Sequence, residues 1–154
     1  MSGGGLDLNL DSIYTEIITE QSNSKRNRRH LENPTFALEG KNPSCGDEIK
    51  LEVKLKDDIV EDASFTGVGC AISQASTSIM IDLIRGKNIK EVEKLAELFI
   101  SMIQKKIVGD EKLAPLGEAN ALKNISNMPA RVKCATMPWH TVESIINLNK
   151  DDTK

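Results

Sequence analysis

A chain of 154 residues suits one domain with a hydrophobic core of its own. A net charge of −3 removes any global electrostatic case for nucleic acid or an anionic membrane. Aromatic residues at 3% argue against base-stacking recognition of single strands, and no apolar run approaches the roughly 20 residues of a membrane span.

Residues 1–9 read as a disordered lead-in. They contain no apolar core of a signal peptide, and Ser2 rather than glycine follows Met1, so a myristoylation signal is absent. A first helix is expected from Leu10 to Gln21, with Ile13, Ile17 and Ile18 on its apolar face. The basic cluster Lys25-Arg26-Asn27-Arg28-Arg29-His30 follows, readable as a solvated loop or as a docking surface for an acidic partner. Phe36 to Gly40 is a short strand. The clearest signal is the alternation of Ile49, Leu51, Val53 and Leu55 with Lys50, Glu52, Lys54 and Lys56, which predicts a strand buried on one face. Asp57-Asp58 supplies a turn, and a return strand from Ile59 to Thr66 points Ala63 and Phe65 inward.

Gly67-Val68-Gly69-Cys70 turns the chain from strand into a helix expected over Ala71–Arg85, closed by Gly86. Within it Ser73, Ser76, Thr77 and Ser78 accompany no nucleophile elbow or phosphate loop. A further helix spans about Ile89 to Ile107, burying Val92, Leu95, Ala96, Phe99 and Met102 or Ile103. A polar stretch with Gly109, Pro115 and Gly117 precedes a short helix over Leu116–Ile125. The final helix starts near Cys134, and residues 149–154 form a charged tail. Residues 10–148 make a single domain of the α+β class: about three antiparallel strands packed against several helices.

The chemistry concentrates in Pro43-Ser44-Cys45-Gly46-Asp47, where a thiol and a carboxylate sit two residues apart on a tight loop. The other two cysteines are Cys70 and Cys134. Three cysteines without a disulfide-framework spacing fit a reducing compartment, which places the protein in the cytosol, with metal binding or thiol chemistry. The hairpin should bring Cys45, Asp47 and Cys70 together, while Cys134 must arrive by tertiary packing. Cys70 and Cys134 at helix N-termini would both gain thiolate character. Three thiolates and a carboxylate suit tetrahedral Zn²⁺, and soft sulfur excludes Mg²⁺ and Ca²⁺ but not an iron–sulfur cluster. The alternative for Cys70 and Cys134 is a role as small buried hydrophobes. His140 reads as a helix-surface imidazole and His30 as solvated; neither forms a Cys-His or Ser-His pair of recognisable spacing.

Asn42-Pro43-Ser44-Cys45-Gly46-Asp47, Gly67-Val68-Gly69-Cys70-Ala71-Ile72-Ser73 and Arg131-Val132-Lys133-Cys134-Ala135-Thr136 together resemble the U-type iron–sulfur cluster assembly proteins (the SufU, IscU and NifU N-terminal group) over residues 10–148. Scaffold members typically carry a histidine before the third cysteine and a Leu-Pro-Pro-Val-Lys chaperone motif nearby. Here Lys133 holds the histidine position, Met128-Pro129-Ala130-Arg131-Val132-Lys133 departs from the chaperone motif, and the region from about Gly109 to Asn127 looks inserted. These departures match the SufU branch. The resemblance implies a SufE/NifU-like fold and zinc held by Cys45, Asp47, Cys70 and Cys134. It further implies Cys45 as the acceptor of persulfide sulfur, displaced from zinc by a residue of the partner. That partner would be a pyridoxal-phosphate cysteine desulfurase of the SufS type, with Arg131 at the interface and a Suf scaffold or other acceptor downstream. The alternative it leaves open is an iron–sulfur cluster scaffold.

Overall fold

The structure is a computed structural model and describes residues 16–107 and 109–152. Three strands, β1 (Phe36–Asn42), β2 (Asp47–Lys56) and β3 (Ile59–Val68), form one antiparallel sheet in the order β1-β2-β3. Helices pack on one face of it, as the α+β reading expects. The first, α1, is described over 16–23; Ile17 and Ile18 pack on the core, while Leu10 and Ile13 of the expected face lie outside the described residues.

The alternation in β2 is realised as burial of Ile49, Leu51 and Val53. Asp57 and Asp58 take φ 54 and 62, the two left-handed positions that a two-residue hairpin turn requires and that aspartate tolerates. A bulge follows at once: Lys54 faces Asp62 whereas Leu55 faces Val60. The extra residue lets Val60 join Ala63 and Phe65 in the core despite a spacing of three, which strict alternation forbids.

Helix α2 (Ala71–Ile84) is the central helix, buried on almost every side, its serines included. Small polar side chains let α5 approach closely: Ser76 Oγ donates to the Ala135 carbonyl at 2.6 Å and accepts from Trp139 Nε1 at 3.0 Å. Helix α3 (Ile89–Ile103) starts on Asn88, whose side chain accepts from the Glu91 amide, and buries the expected Val92, Leu95, Ala96, Phe99, Met102 and Ile103. It is shorter than expected. Phe99 stacks on Trp139 with ring centroids 4.2 Å apart. The stretch that follows forms α4 (Asp110–Leu113) and a 3-10 stretch (Ala114–Asn127) broken at Gly117, rather than the α-helix the spacing suggests. Leu116, Ala119, Leu122 and Ile125 carry it into the core.

The last helix, α5, spans Pro129–Asp152. It begins one turn before Cys134 and continues into the region read as a charged tail. Pro129 sets the start, because proline at the first helical position lacks only an amide the helix does not use. Among the described residues no helix is long and apolar enough to cross a membrane.

The basic cluster is not a loose solvated loop. The Phe65 amide donates to the Asn27 carbonyl at 2.9 Å, so this segment covers the outer edge of β3. Arg28 lies over the Phe65 ring and donates to the Gly67 carbonyl, Arg29 grips Asp62 with two bonds of 2.8 and 3.0 Å, and Arg26 pairs with Asp82. Asn27 is fully buried and donates to Ser78 and Asp82.

Candidate metal centre

The open end of the β2–β3 hairpin builds the centre. A 3-10 turn over Pro43–Cys45 links β1 to β2 and is closed by Gly46 in the left-handed conformation, φ 69. That turn leaves Cys45 half-exposed and delivers Asp47, 2% exposed, to the first position of β2. At the far end of β3 the chain passes through Gly69 to Cys70, the N-cap of α2. A Cβ on Gly69 would meet Ser73 Oγ at 2.3 Å and Asp47 Oδ1 at 2.8 Å, so only glycine allows this approach.

One ligand atom from each of Cys45, Asp47 and Cys134 lies within 4.8 Å of the others. This convergence spans 89 positions of sequence and was expected from the residues alone only as a requirement. Cys70 stands just outside that group. Its sulfur accepts from the Ser73 amide at 3.5 Å, although it remains close enough to act on Cys134. Arg131 Nη1 reaches to 4.0 Å from Cys45 Sγ, whose S–H donates to the Ala130 carbonyl at 3.7 Å. His30 bonds Glu52 and His140 bonds Glu143, so neither histidine belongs to the site.

Asp47 is the anchored member. Burial alone would raise its pKa, but bonds from the Cys70 amide, the Cys134 thiol, the Asn42 amide and the Ser73 hydroxyl outweigh it and hold the carboxyl below its ordinary value. Cys134 departs from expectation. It sits in the second turn of α5 rather than at its N-terminus, so the helix end offers little help. Burial pushes its thiol well up, and the crowding of Cys45, Asp47 and Cys70 pushes it further. The neighbouring thiols favour the charged form of Arg131: a hydrogen bond with Cys134 first, then the charges of Cys70, Cys45 and Cys134.

Asn42 was missed from the sequence as a working part of the site. It is 4% exposed and donates to Asp47 Oδ2 at 3.1 Å and to Cys134 Sγ at 3.5 Å, bridging two members of the cluster. Ser73, read only as part of a polar helix, donates to Asp47 Oδ1 at 3.1 Å. A groove of about 450 Å³ between β1 and α5 shares Asn42 with the centre but is lined by none of its thiols.

The buried Cys134 thiol, whose ionisation its surroundings suppress, is one that a bound divalent cation would deprotonate, because the cation makes the thiolate the stable form. The two sulfurs and one carboxylate gathered here, with the Cys70 sulfur beside them, are donor types that zinc takes, so the group could hold that metal.

A three-stranded antiparallel sheet with a thiol and carboxylate cluster at its open end defines the class of this molecule. The chain belongs to the NifU-like N-terminal domain family, whose model matches residues 13–135. Among curated relatives, the zinc-dependent sulfurtransferase SufU of Bacillus subtilis is 42% identical over 88% of this chain and 90% of its own. The iron–sulfur cluster assembly scaffold protein IscU of Thermotoga maritima is 40% identical over 87% and 92%. Among solved structures, an iron–sulfur cluster assembly scaffold protein for the SUF system from Fervidobacterium islandicum superposes with a TM-score of 0.77, at 39% identity, over 86% of this chain and 95% of that one. A NifU-like N-terminal protein from Brucella abortus superposes at 0.79 over 92% and 96%, but at 19% identity, which is a likeness of fold alone.

Proposed function

We propose that the chain is a zinc-dependent sulfurtransferase of iron–sulfur cluster assembly, taking persulfide sulfur from a cysteine desulfurase onto Cys45. The observation that carries this reading is the unequal hold on the cluster. Asp47 and Cys134 are buried, whereas Cys45 is half-exposed on a short turn with a guanidinium beside it. A nucleophile must be reached by its substrate and be free to move: Cys70 is also half-exposed but is tied down as the N-cap of α2, its sulfur accepting from the Ser73 amide, which leaves Cys45 as the accessible thiol on a short turn.

The ligands in this reading are Cys45, Asp47, Cys70 and Cys134, and zinc held there keeps their thiols deprotonated at neutral pH. In transfer, the Cys45 thiolate attacks the outer sulfur of the donor's persulfide. A new S–S bond forms at Cys45 Sγ, the donor's S–S bond breaks, and the donor cysteine leaves as thiolate with the bonding pair. The proton stays with the travelling sulfur, so one persulfide replaces another without net oxidation. Arg131 steadies the anionic sulfur at Cys45 and faces the partner. The names of the 42% and 40% identical relatives support sulfur transfer and scaffolding respectively. The ammonium of exposed Lys133, next to Cys134, offers no lone pair for a cluster iron, which favours the first.

The test is desulfurase and cysteine with wild type and Cys45→Ala, followed by intact mass. Wild type should gain one sulfur atom and the variant none; undiminished transfer to the variant excludes this role. Elemental analysis should find one zinc per chain, lost in Asp47→Ala. Zinc-free protein that assembles a stable, transferable cluster under anaerobic reconstitution would instead establish the scaffold.

A further inference from the structure

The chain holds three thiols, and two of them, Cys45 and Cys134, have sulfurs within 4.8 Å of each other. Cys70 stands outside that group, its sulfur accepting from the Ser73 amide at 3.5 Å. Cys134 is fully buried and Cys45 half-exposed, so the two sulfurs meet with Cys134 on the inner side and solvent on the outer. Asp47 accepts from the Cys134 thiol, and the Arg131 guanidinium lies 4.0 Å from Cys45 Sγ. A disulfide bond is about 2.0 Å long, so joining the pair asks for a movement of under roughly 3 Å, within reach of the short turn that carries Cys45.

We infer that Cys134 is a discharging thiol: in the metal-free chain it attacks the Cys45 persulfide, releasing the carried sulfur as hydrosulfide and leaving a Cys45–Cys134 disulfide. This rests on the sulfur-accepting role proposed for Cys45. Displacement at a disulfide sulfur runs along the S–S axis, so the attacking and leaving groups take opposite sides of Cys45 Sγ. The buried side holds Cys134, and the solvent side is open to the outer sulfur. Cys134 gives its proton to Asp47 as its sulfur attacks Cys45 Sγ. The bond from Cys45 Sγ to the outer sulfur breaks, and that sulfur leaves with the bonding pair and its own proton as hydrosulfide, beside the charge of Arg131. The carried sulfur is reduced and the two cysteines are oxidised, so no outside oxidant enters; a dithiol reductant resets the pair. In the ligand set proposed above, Cys134 and Asp47 are both bound to zinc, so nucleophile and proton acceptor are withdrawn together. Metal occupancy then decides whether sulfur is carried as persulfide or discharged as sulfide.

In the experiment, zinc-loaded wild type is charged with sulfur by a cysteine desulfurase, freed of the desulfurase, and divided anaerobically into two samples, one of which receives an excess of zinc chelator. Intact mass, released sulfide and disulfide mapping under non-reducing conditions are read on both. The chelated sample should lose one hydrogen sulfide in mass, release about one sulfide per chain and show a Cys45–Cys134 cross-link, while the untreated sample keeps its persulfide. Cys134→Ala, charged metal-free with glutathione persulfide and cleared of excess, should hold its sulfur where wild type charged the same way discharges it. A persulfide that survives zinc removal in wild type overturns the inference. So does a cross-link to Cys70 or between chains, or sulfide release from Cys134→Ala at the wild-type rate. Wild type that takes up no sulfur from the desulfurase ends the role of Cys45 and this inference with it; uptake without discharge leaves that role standing.

Discussion

Removing the Asn42 amide should weaken metal binding without removing a ligand. In the folded chain its Nδ2 donates to Asp47 Oδ2 and to Cys134 Sγ, both from a position 4% exposed. It makes no side-chain cap for the turn that it precedes, so its hydrogen bonds serve the cluster. A hydrogen bond to a charged acceptor contributes about 1.5–3 kcal/mol, and loss of a partner that orients metal ligands lowers affinity roughly 10–100-fold. The two ranges agree, since tenfold corresponds to about 1.4 kcal/mol. Asn42→Ala should therefore bind zinc about 10–100-fold more weakly. Asn42→Asp should be worse still, because it adds a carboxylate beside Asp47 in place of a donor. Competition against a chromophoric chelator measures all three proteins. Affinity within twofold of wild type for Asn42→Ala, or wild-type affinity for Asn42→Asp, would refute the argument that Asn42 holds the ligands in place.

Three further variants can be checked. In Gly69→Ala the added methyl meets Ser73 Oγ and Asp47 Oδ1, so zinc affinity should fall at least about tenfold; Gly46→Ala faces open space and should cost only the backbone strain of φ 69, about 1–2 kcal/mol by urea denaturation. Asp82→Asn should destabilise the fold by about 1–2 kcal/mol at neutral pH, followed by fluorescence of the buried Trp139. Burial would raise the Asp82 pKa, but Asn27, Arg26 and Gln21 outweigh it and hold it low in the folded chain. The unfolded chain then takes up protons first as pH falls. The stabilisation is present above about pH 4 and is lost as pH drops through the folded value, so the gap between wild type and variant should close in acid. A gap that widens in acid would contradict that sign.

The parts of the fold legible in the sequence are those whose cause is local. Alternation in β2, the Asp57-Asp58 turn and the glycines before Cys70 each act within a few residues, and each appears where the pattern puts it. The basic cluster was not legible, because its meaning lies in Asp62 and Asp82, 33 and 56 positions away from Arg29 and Arg26. Charge alone cannot distinguish an arginine in water from one that fastens a sheet edge. The serines of α2 stood out in the sequence only as small polar residues of a helix for a similar reason: hydropathy cannot register that a small hydroxyl permits close helix packing. The start of α5 was locally legible in Pro129 and was overlooked in favour of Cys134, and with it went the expectation of a helix-end effect on that thiol. Asn42 carries no signal of spacing, since a buried amide bridging two side chains is visible only once both have arrived.

The same distinction between local and distant causes bears on function. Asp47 is fixed by donors from β1, from α2 and from α5, Cys134 by a buried helical turn, and Cys70 by its place as the N-cap of α2. Moving any of these disturbs an element that the core holds. Cys45 depends on a three-residue turn that Pro43 opens and Gly46 closes, and its sulfur makes long contacts to Ala130 and Arg131. The free energy needed to displace it is that of a turn, not of the fold. In the sulfur transfer proposed above, a centre built this way would keep Asp47, Cys70 and Cys134 in place while Cys45 is exchanged, which is what passing sulfur through an assembled site requires.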